Sequence, residues 1–278
     1  MKSKIIGLTG SNGVLGNNLK KQFKNFQFDN FKGDIRSKKD IKAWIKNKKF
    51  DGIFHLAAIV PTGKVASNYK KSIKTNYNGT KILIDEVIKN KTTSWFLFTS
   101  TSHVYSPSTL KLKETSKISP ITKYGETKLK AEKYLIKKNK IKICIVRIFS
   151  YTNYDQKQTF LIPSIYQKFK NMNPIVFQDI NHVRDFIDVR DITRAIKLLF
   201  MKNYTGIFNI ATGKPIKLKK IINFFSKKFK KKYILIKSKN NTSLIANISN
   251  LKKTGWKPKF NIDSILNKYW NDKKIKKY

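Results

Sequence analysis

Apolar residues along this chain fall into short continuous blocks that alternate with stretches where they recur every three or four positions. Lys4 to Thr9 reads as a short buried strand, and Val14, Leu15, Leu19 and Phe23 then mark a helix. Phe26 to Phe31 predicts a second strand, and Ile41, Trp44 and Ile45 a second helix. Asp51 to Ala58 is a further apolar strand, Ile73 to Ile88 a long helix, Trp95 to Ser100 a strand, Lys123 to Lys137 a helix and Ile141 to Ile148 a strand. Strands that alternate with helices predict an α/β fold, a doubly wound parallel sheet with helices on both faces. The alternation fades beyond about residue 150, which predicts a small lobe built mainly from the C-terminal part. The division expected is residues 1–160 with 186–212 for the doubly wound domain, and 161–185 with 213–278 for the lobe. No repeat and no linker interrupts the pattern.

Composition narrows the class. With 278 residues, 40% hydrophobic and 13% aromatic, the chain can bury a full core, which excludes wholesale disorder. No apolar run is long enough to cross a bilayer, and the first residues run into Gly7 and Gly10 too soon for a signal peptide. A lone cysteine, Cys144, excludes an intrachain disulfide and a thiolate zinc site. His55, His103 and His182 do not have metal-ligand spacing, so no metal is expected. The expected setting is cytoplasmic.

The net charge of +44 alone points to a nucleic-acid binder. Only five of the 60 basic residues are arginine, however, and the lysines run the whole length of the chain. We therefore expect no specific nucleic acid and no membrane insertion, but a field that draws in small polyanions such as nucleotide diphosphates. The basic amphipathic stretch Ile216 to Phe229 reads as a lobe helix with one buried face, in preference to a membrane-surface helix.

Thr9-Gly10-Ser11-Asn12-Gly13-Val14-Leu15-Gly16 sets glycines every third residue between a strand and a helix. The physics of dinucleotide binding asks for this: a tight turn, close backbone approach to a pyrophosphate, and helix-strand packing. With 12 glycines, such spacing arises by chance about 0.02 times per chain. Asp29, near the end of the second strand, can accept both adenosine-ribose hydroxyls and repel a 2′-phosphate, which favours NAD. Lys32 and Arg36 keep NADP open.

Tyr124 and Lys128 stand one helical turn apart, and an ammonium there stabilises a phenolate. Bringing a phenol from about 10 to about 7 takes about 4 kcal/mol. The spacing alone is uninformative, because about 2.4 such pairs arise by chance and the chain holds six, at Tyr77, Tyr124, Tyr134, Tyr166, Tyr233 and Tyr269. Context singles out Tyr124, which follows a hydroxyl-bearing strand end, Thr99-Ser100-Thr101-Ser102-His103. Thr101 is the expected hydroxyl partner, with Ser100 and Ser102 as neighbours able to replace it.

Taken in order, these segments resemble the extended short-chain dehydrogenase/reductases, the NAD-dependent epimerase/dehydratase family of nucleotide-sugar enzymes. The resemblance runs through His55-Leu56-Ala57-Ala58, Thr75-Asn76-Tyr77-Asn78-Gly79-Thr80, Tyr124-Gly125-Glu126-Thr127-Lys128, Arg184-Asp185-Phe186-Ile187-Asp188-Val189-Arg190-Asp191, Gly206 to Gly213 and Gly255-Trp256-Lys257-Pro258. It implies a cofactor site of Gly10, Ser11, Asn12, Gly13, Val14, Gly16, Asp29, Asp34, Ile35, Leu56, Ala57, Ala58, Asn76, Thr99, Tyr124 and Lys128. It also implies catalysis by Thr101, Tyr124 and Lys128, and contacts from Ser102, His103 and Arg184 to a nucleotide-diphosphate sugar, with Arg184 on the diphosphate. The family often pairs two copies through two helices of the cofactor domain, and a homodimer is the corresponding expectation.

Departures from the family pattern narrow the reaction. Dehydratases carry Asp-Glu where this chain has Ser102 and His103, which disfavours elimination. Ser150 stands where the family often has asparagine, three residues after Arg147. The expected activity is therefore hydride transfer at a sugar carbon, C4 by preference, as an NDP-sugar 4-epimerase serving polysaccharide biosynthesis. The alternatives are an NDP-4-keto-6-deoxy-sugar reductase, which the Asp188-Val189-Arg190-Asp191 wording resembles, and a non-catalytic dinucleotide-binding sensor.

Overall fold

The computed structural model describes residues 3–60, 62–178, 180–236 and 241–275. The chain forms two compact units, one of Met1–Ser106, Ser116–Ile148 and Thr193–Phe208, the other of Pro107–Thr115, Phe149–Ile192 and Asn209–Tyr278. The first unit closes earlier than residue 160, and it takes back a later stretch that begins inside the helix Val189–Met201.

In the first unit, β1 (Ile5–Thr9), α1 (Val14–Gln22), β2 (Gln27–Asn30), α2 (Lys38–Ile45) and β3 (Gly52–His55) follow one another. After them come α3 (Thr62–Ser67), α4 (Tyr69–Ile73), α5 (Gly79–Lys89), β4 (Trp95–Thr101), α6 (Lys123–Ile136) and β5 (Lys142–Ile148). A six-stranded sheet runs in the order Gly206–Ile210, β5, β4, β3, β1, β2. The pairs β2-β1, β1-β3, β3-β4 and β4-β5 are all parallel. The chain leaves β1 to build β2 on one side and returns to build β3 on the other. The carboxyl ends of β1 and β3 therefore form the crevice where such sheets receive ligands.

Strand alternation sorts the core. Ile53 of β3 joins Ile41, Trp44, Leu83, Phe96 and Phe98 in one buried cluster. Phe54 points the other way, edge-on to Phe23, Trp95 and Phe200. Each such side chain buried contributes about 1.5–3 kcal/mol.

Two elements differ from the sequence pattern. The expected helix Ile73 to Ile88 is present as continuous helical backbone, but it passes through a π-helical segment over Lys74–Asn78 between α4 and α5. The strand expected to reach Ala58 stops at His55, because Leu56 and Ala57 donate their backbone N–H groups to the backbone oxygen and Oγ1 of Thr9, both at 3.2 Å.

The second unit packs the helices Leu161–Asn171, Leu218–Phe229 and Ile262–Ile275 around Phe169, Ile221, Ile222, Phe225 and Leu266. Its strands are short. Val183–Arg184 lies between Ile216–Lys217 and Ser243–Leu244, and Ile234–Leu235 pairs with Val176–Phe177. The helix Leu218–Phe229 buries Leu218, Ile221, Ile222 and Phe225, the one-sided burial its pattern predicts.

Candidate active site

Gly10 ends β1 with φ +71°, a conformation that L side chains resist, and a Cβ there would lie 2.7 Å from the backbone N of Ala57. The turn after β1 thus rests directly on the loop after β3. Ser11 and Gly16 are buried, Asn12 and Gly13 exposed and Val14 half-buried. Gly13 is the N-cap of α1 and supplies no side-chain acceptor. By contrast α2 is capped by Ser37 and α6 by Thr122. The first-turn N–H groups of α1 are therefore left for an external acceptor.

His55 ties these strand ends together. Its Nδ1 lies 2.7 Å from Thr9 Oγ1 and its Nε2 2.9 Å from Thr80 Oγ1. Burial pushes the imidazole pKa down to about 3, and the nearby Lys128 charge acts in the same direction, so the ring is neutral. Thr99 Oγ1 donates to the His55 carbonyl at 3.1 Å and locks β4 to β3.

The helix α6, which carries Tyr124 and Lys128, packs against β4 and the turn that follows Thr101. Thr101 Oγ1 accepts from the His103 N–H at 3.3 Å and caps the tight turn Ser102–Val104, in which Ser102 is buried. The Thr101 hydroxyl proton has no acceptor among the described residues. The His103 ring meets the Tyr124 ring edge-on at 5.9 Å, and His103 Nδ1 stands 3.5 Å from Thr122 Oγ1. Lys128, one turn along α6, is buried, with Nζ 4.2 Å from the centre of the Phe98 ring. Ser100 Oγ is buried with no hydrogen-bond partner among the described residues.

Two contacts that sequence reasoning missed hold α6 in place. Asn76, in the π-helical segment, accepts from Ile59 N (2.7 Å) and donates to Ile59 O and Thr127 Oγ1, each at 3.1 Å. Glu132, one turn beyond Lys128, forms a buried ion pair with Arg147, which also donates to Tyr105 Oη at 2.9 Å. Only the N-cap threonine before α6 left a local sequence signal for any of this.

Burial drives the Lys128 pKa from 10.5 down to about 7, while the Glu132 charge pulls the other way. Between these values the unfolded chain binds more protons than the folded one. The stability contribution of this group therefore climbs with pH, and the full cost of the buried charge is felt below about pH 7. Lys128→Met is expected to raise Tm by on the order of 5 °C at pH 6 and by less at pH 9. An unchanged or lower Tm at pH 6 in a calorimetric scan would remove this account of the lysine.

The residues expected on the adenosine side have neighbours of their own. Asp29 accepts from Trp44 Nε1 at 2.8 Å and Lys48 Nζ at 2.6 Å. The Arg36 guanidinium beside Asp34 holds its carboxyl at about 2. Ile35 is buried, and Leu56, Ala57 and Ala58 are half-buried in the loop after β3.

Arg184 belongs to the second unit. Its guanidinium donates to the carbonyl of Val183 (2.9 Å) and to the carbonyl and Oγ1 of Thr242 (both 2.8 Å). Burial lowers its pKa, and among the described residues no carboxylate neutralises it. The acids around it are structural. Asp185 accepts from Thr212 N and Oγ1, Gly213 N and Ala246 N; Asp188 holds Arg190; and Asp191 accepts from Lys259 N and Phe260 N.

Among known proteins, the chain is 25% identical over 292 residues to the bifunctional UDP-glucose 4-epimerase and UDP-xylose 4-epimerase 1 of Pisum sativum, covering 93% of this chain and 82% of the relative. It is 27% identical over 241 residues to a putative UDP-glucose 4-epimerase of Methanocaldococcus jannaschii, covering 82% of this chain and 78% of the relative. In fold it matches the UDP-glucose 4-epimerase of Thermotoga maritima solved with UDP-glucose, with TM-score 0.87 and 19% identity over 99% of this chain and 100% of that one. RMD of Pseudomonas aeruginosa, solved with NADPH, matches with TM-score 0.85 and 20% identity over 97% and 99%. Residues 6–211 match the family model described as NAD dependent epimerase/dehydratase family, and the chain belongs to that family.

Proposed function

We propose that the protein is an NAD-dependent nucleotide-sugar 4-epimerase of the cytosol. The observation that carries this reading is the packing of α6, with Tyr124 and the desolvated Lys128, against β4 and the turn that follows Thr101. NAD fits the first unit on two counts. The α1 N-terminus has no side-chain cap, and the Lys128 ammonium is buried with no hydrogen-bond acceptor among the described residues. When bound, the nicotinamide accepts a hydride and returns it.

The first-turn N–H groups of α1 would hold the pyrophosphate, with Gly10 keeping the turn clear of side chain. Asp29 uses one lone pair on each oxygen for Trp44 and Lys48, which leaves acceptor capacity for the ribose hydroxyls. Lys128 would donate to the nicotinamide ribose and stabilise negative charge on Tyr124. Tyr124 takes the proton of the sugar hydroxyl as its carbon is oxidised, and returns a proton when the hydride comes back to the opposite face. Thr101 donates to the same sugar oxygen and fixes its direction. Ser102 and His103 border the sugar and carry no carboxylate for elimination.

Arg184 supplies an uncompensated charge suited to a diphosphate. Arg184→Ala is expected to raise the Kd for a nucleotide sugar by about 10–100-fold with NAD affinity unchanged. Equal losses in both, read by titration calorimetry, would mark a folding defect instead.

Incubation with UDP-, GDP-, dTDP- and CDP-sugars tests the whole reading. An isomerised sugar with no net change in reduced cofactor is the expected result. Stoichiometric consumption of reduced cofactor would make the protein a reductase. Dinucleotide binding without turnover on any of them would make it a sensor.

A further inference from the structure

Ile234, Leu235 and Ile236 are 54%, 43% and 48% exposed, three successive aliphatic side chains at the surface of the second unit. They belong to an edge. Ile234 N and Ile236 N donate to Ile175 O and Phe177 O, which turns the N–H and carbonyl of Leu235 away from the partner strand. The chain segment that leads into them carries charge of one sign. Residues 214–236 hold nine lysines and no Asp or Glu, and all nine lysines are exposed. Among the described residues only Lys220 of this set is paired with a carboxylate, that of Asp263.

From this juxtaposition we infer that the Ile234–Ile236 ridge and its surrounding lysines form a docking surface for an anionic lipid bilayer, where the protein rests without crossing. The aliphatic ridge enters the headgroup layer while lysine stems lie along it and their ammonium groups meet lipid phosphates. The neighbouring helix contributes charge only, since Leu218, Ile221, Ile222 and Phe225 are buried.

Other occupants fit less well. A second copy would bring two lysine clusters face to face, each with only the Asp263 carboxylate to offset it among the described residues. A partner strand would find a two-residue edge with one outward backbone pair. A nucleic acid would want arginine and free aromatic faces. Here every basic residue is lysine, and Tyr233 packs against Phe169 and Phe177 with its hydroxyl donating to Asn223 Oδ1 at 2.6 Å.

Vesicle flotation of the full chain tests this inference, which is independent of the epimerase reading. The protein should float with phosphatidylcholine–phosphatidylserine vesicles and not with phosphatidylcholine alone. The combined change Ile234→Ser, Leu235→Ser and Ile236→Ser should cut the bound fraction about tenfold and leave the circular dichroism spectrum unaltered. Lys227→Gln with Lys228→Gln and Lys232→Gln should do the same. Lys21→Gln with Lys24→Gln and Lys42→Gln removes as much charge from the other unit and should change binding by less than about twofold. The inference fails if no vesicle is bound, if the serine variant floats like the parent, if the two lysine sets weaken binding equally, or if the chain is retained by RNA and not by vesicles.

Discussion

Tyr124→Phe is expected to lower kcat by about 10²–10⁴-fold, the range that one positioned proton carrier supplies, while NAD affinity stays at the parent level. The substitution removes one oxygen and leaves the ring. The edge-on packing of that ring against His103, at 5.9 Å, survives in phenylalanine, and Thr127 Oγ1 still donates to the backbone oxygen of residue 124 at 2.8 Å. The helix start and Lys128 therefore stay in place, and only the proton path is lost. Cofactor titration and single-turnover rates on the same sample separate the two effects. Full turnover in the variant would take Tyr124 out of the mechanism. Loss of cofactor affinity alongside turnover would show that the phenol holds the dinucleotide as well. A sensor has no proton to move, so the variant also separates enzyme from binding module.

Much of the first unit was legible in the sequence because its elements are long enough to carry a period. β4 is seven buried residues in a row, and α6 repeats its apolar positions over fourteen. The π-helical segment after Ile73 was not legible, because its Asn76 is held by hydrogen bonds to Ile59 and Thr127, partners 17 and 51 residues away. The second unit was harder still. Its two-residue strands, such as Val183–Arg184 and Ile216–Lys217, show no alternation at all. The same limit applies to the site. Tyr124 and Lys128 could be chosen by context, but the buried Glu132–Arg147 pair joins residues 15 apart on two elements. Arg184 stood out in its segment, whereas the anchoring of Asp185 by Thr212, Gly213 and Ala246 is purely tertiary. Asp29 was chosen for its place near the end of β2, and nothing local announced that Trp44 and Lys48 would reach it.

Gly125→Ala should cost almost as much as losing the phenol, for a steric reason. A Cβ at residue 125 would stand 2.1 Å from the carbonyl oxygen of His103 and 2.8 Å from its carbonyl carbon. Both are backbone atoms of the turn that follows Thr101, so no rotamer change relieves the clash. The start of α6 must retreat by about 1 Å, and a displacement of that size at reacting groups costs about 10²-fold in rate. It carries Tyr124 away from Thr101, while Lys128, a turn further on and held through Thr127 by Asn76, moves less. The overpacking should also destabilise the fold by about 1–3 kcal/mol. Gly63→Ala is the matched control, since a Cβ there meets nothing within 4 Å among the described residues. Parent-like kcat in Gly125→Ala, with Gly63→Ala also active, would mean that the close approach of α6 to the β4 turn does not set the distance between the phenol and the threonine hydroxyl. A drop in kcat with NAD affinity and Tm both close to the parent would locate the whole effect in that distance, because the dinucleotide cradle proposed at Gly10 and α1 rests on β1 and β3, a different pair of strands.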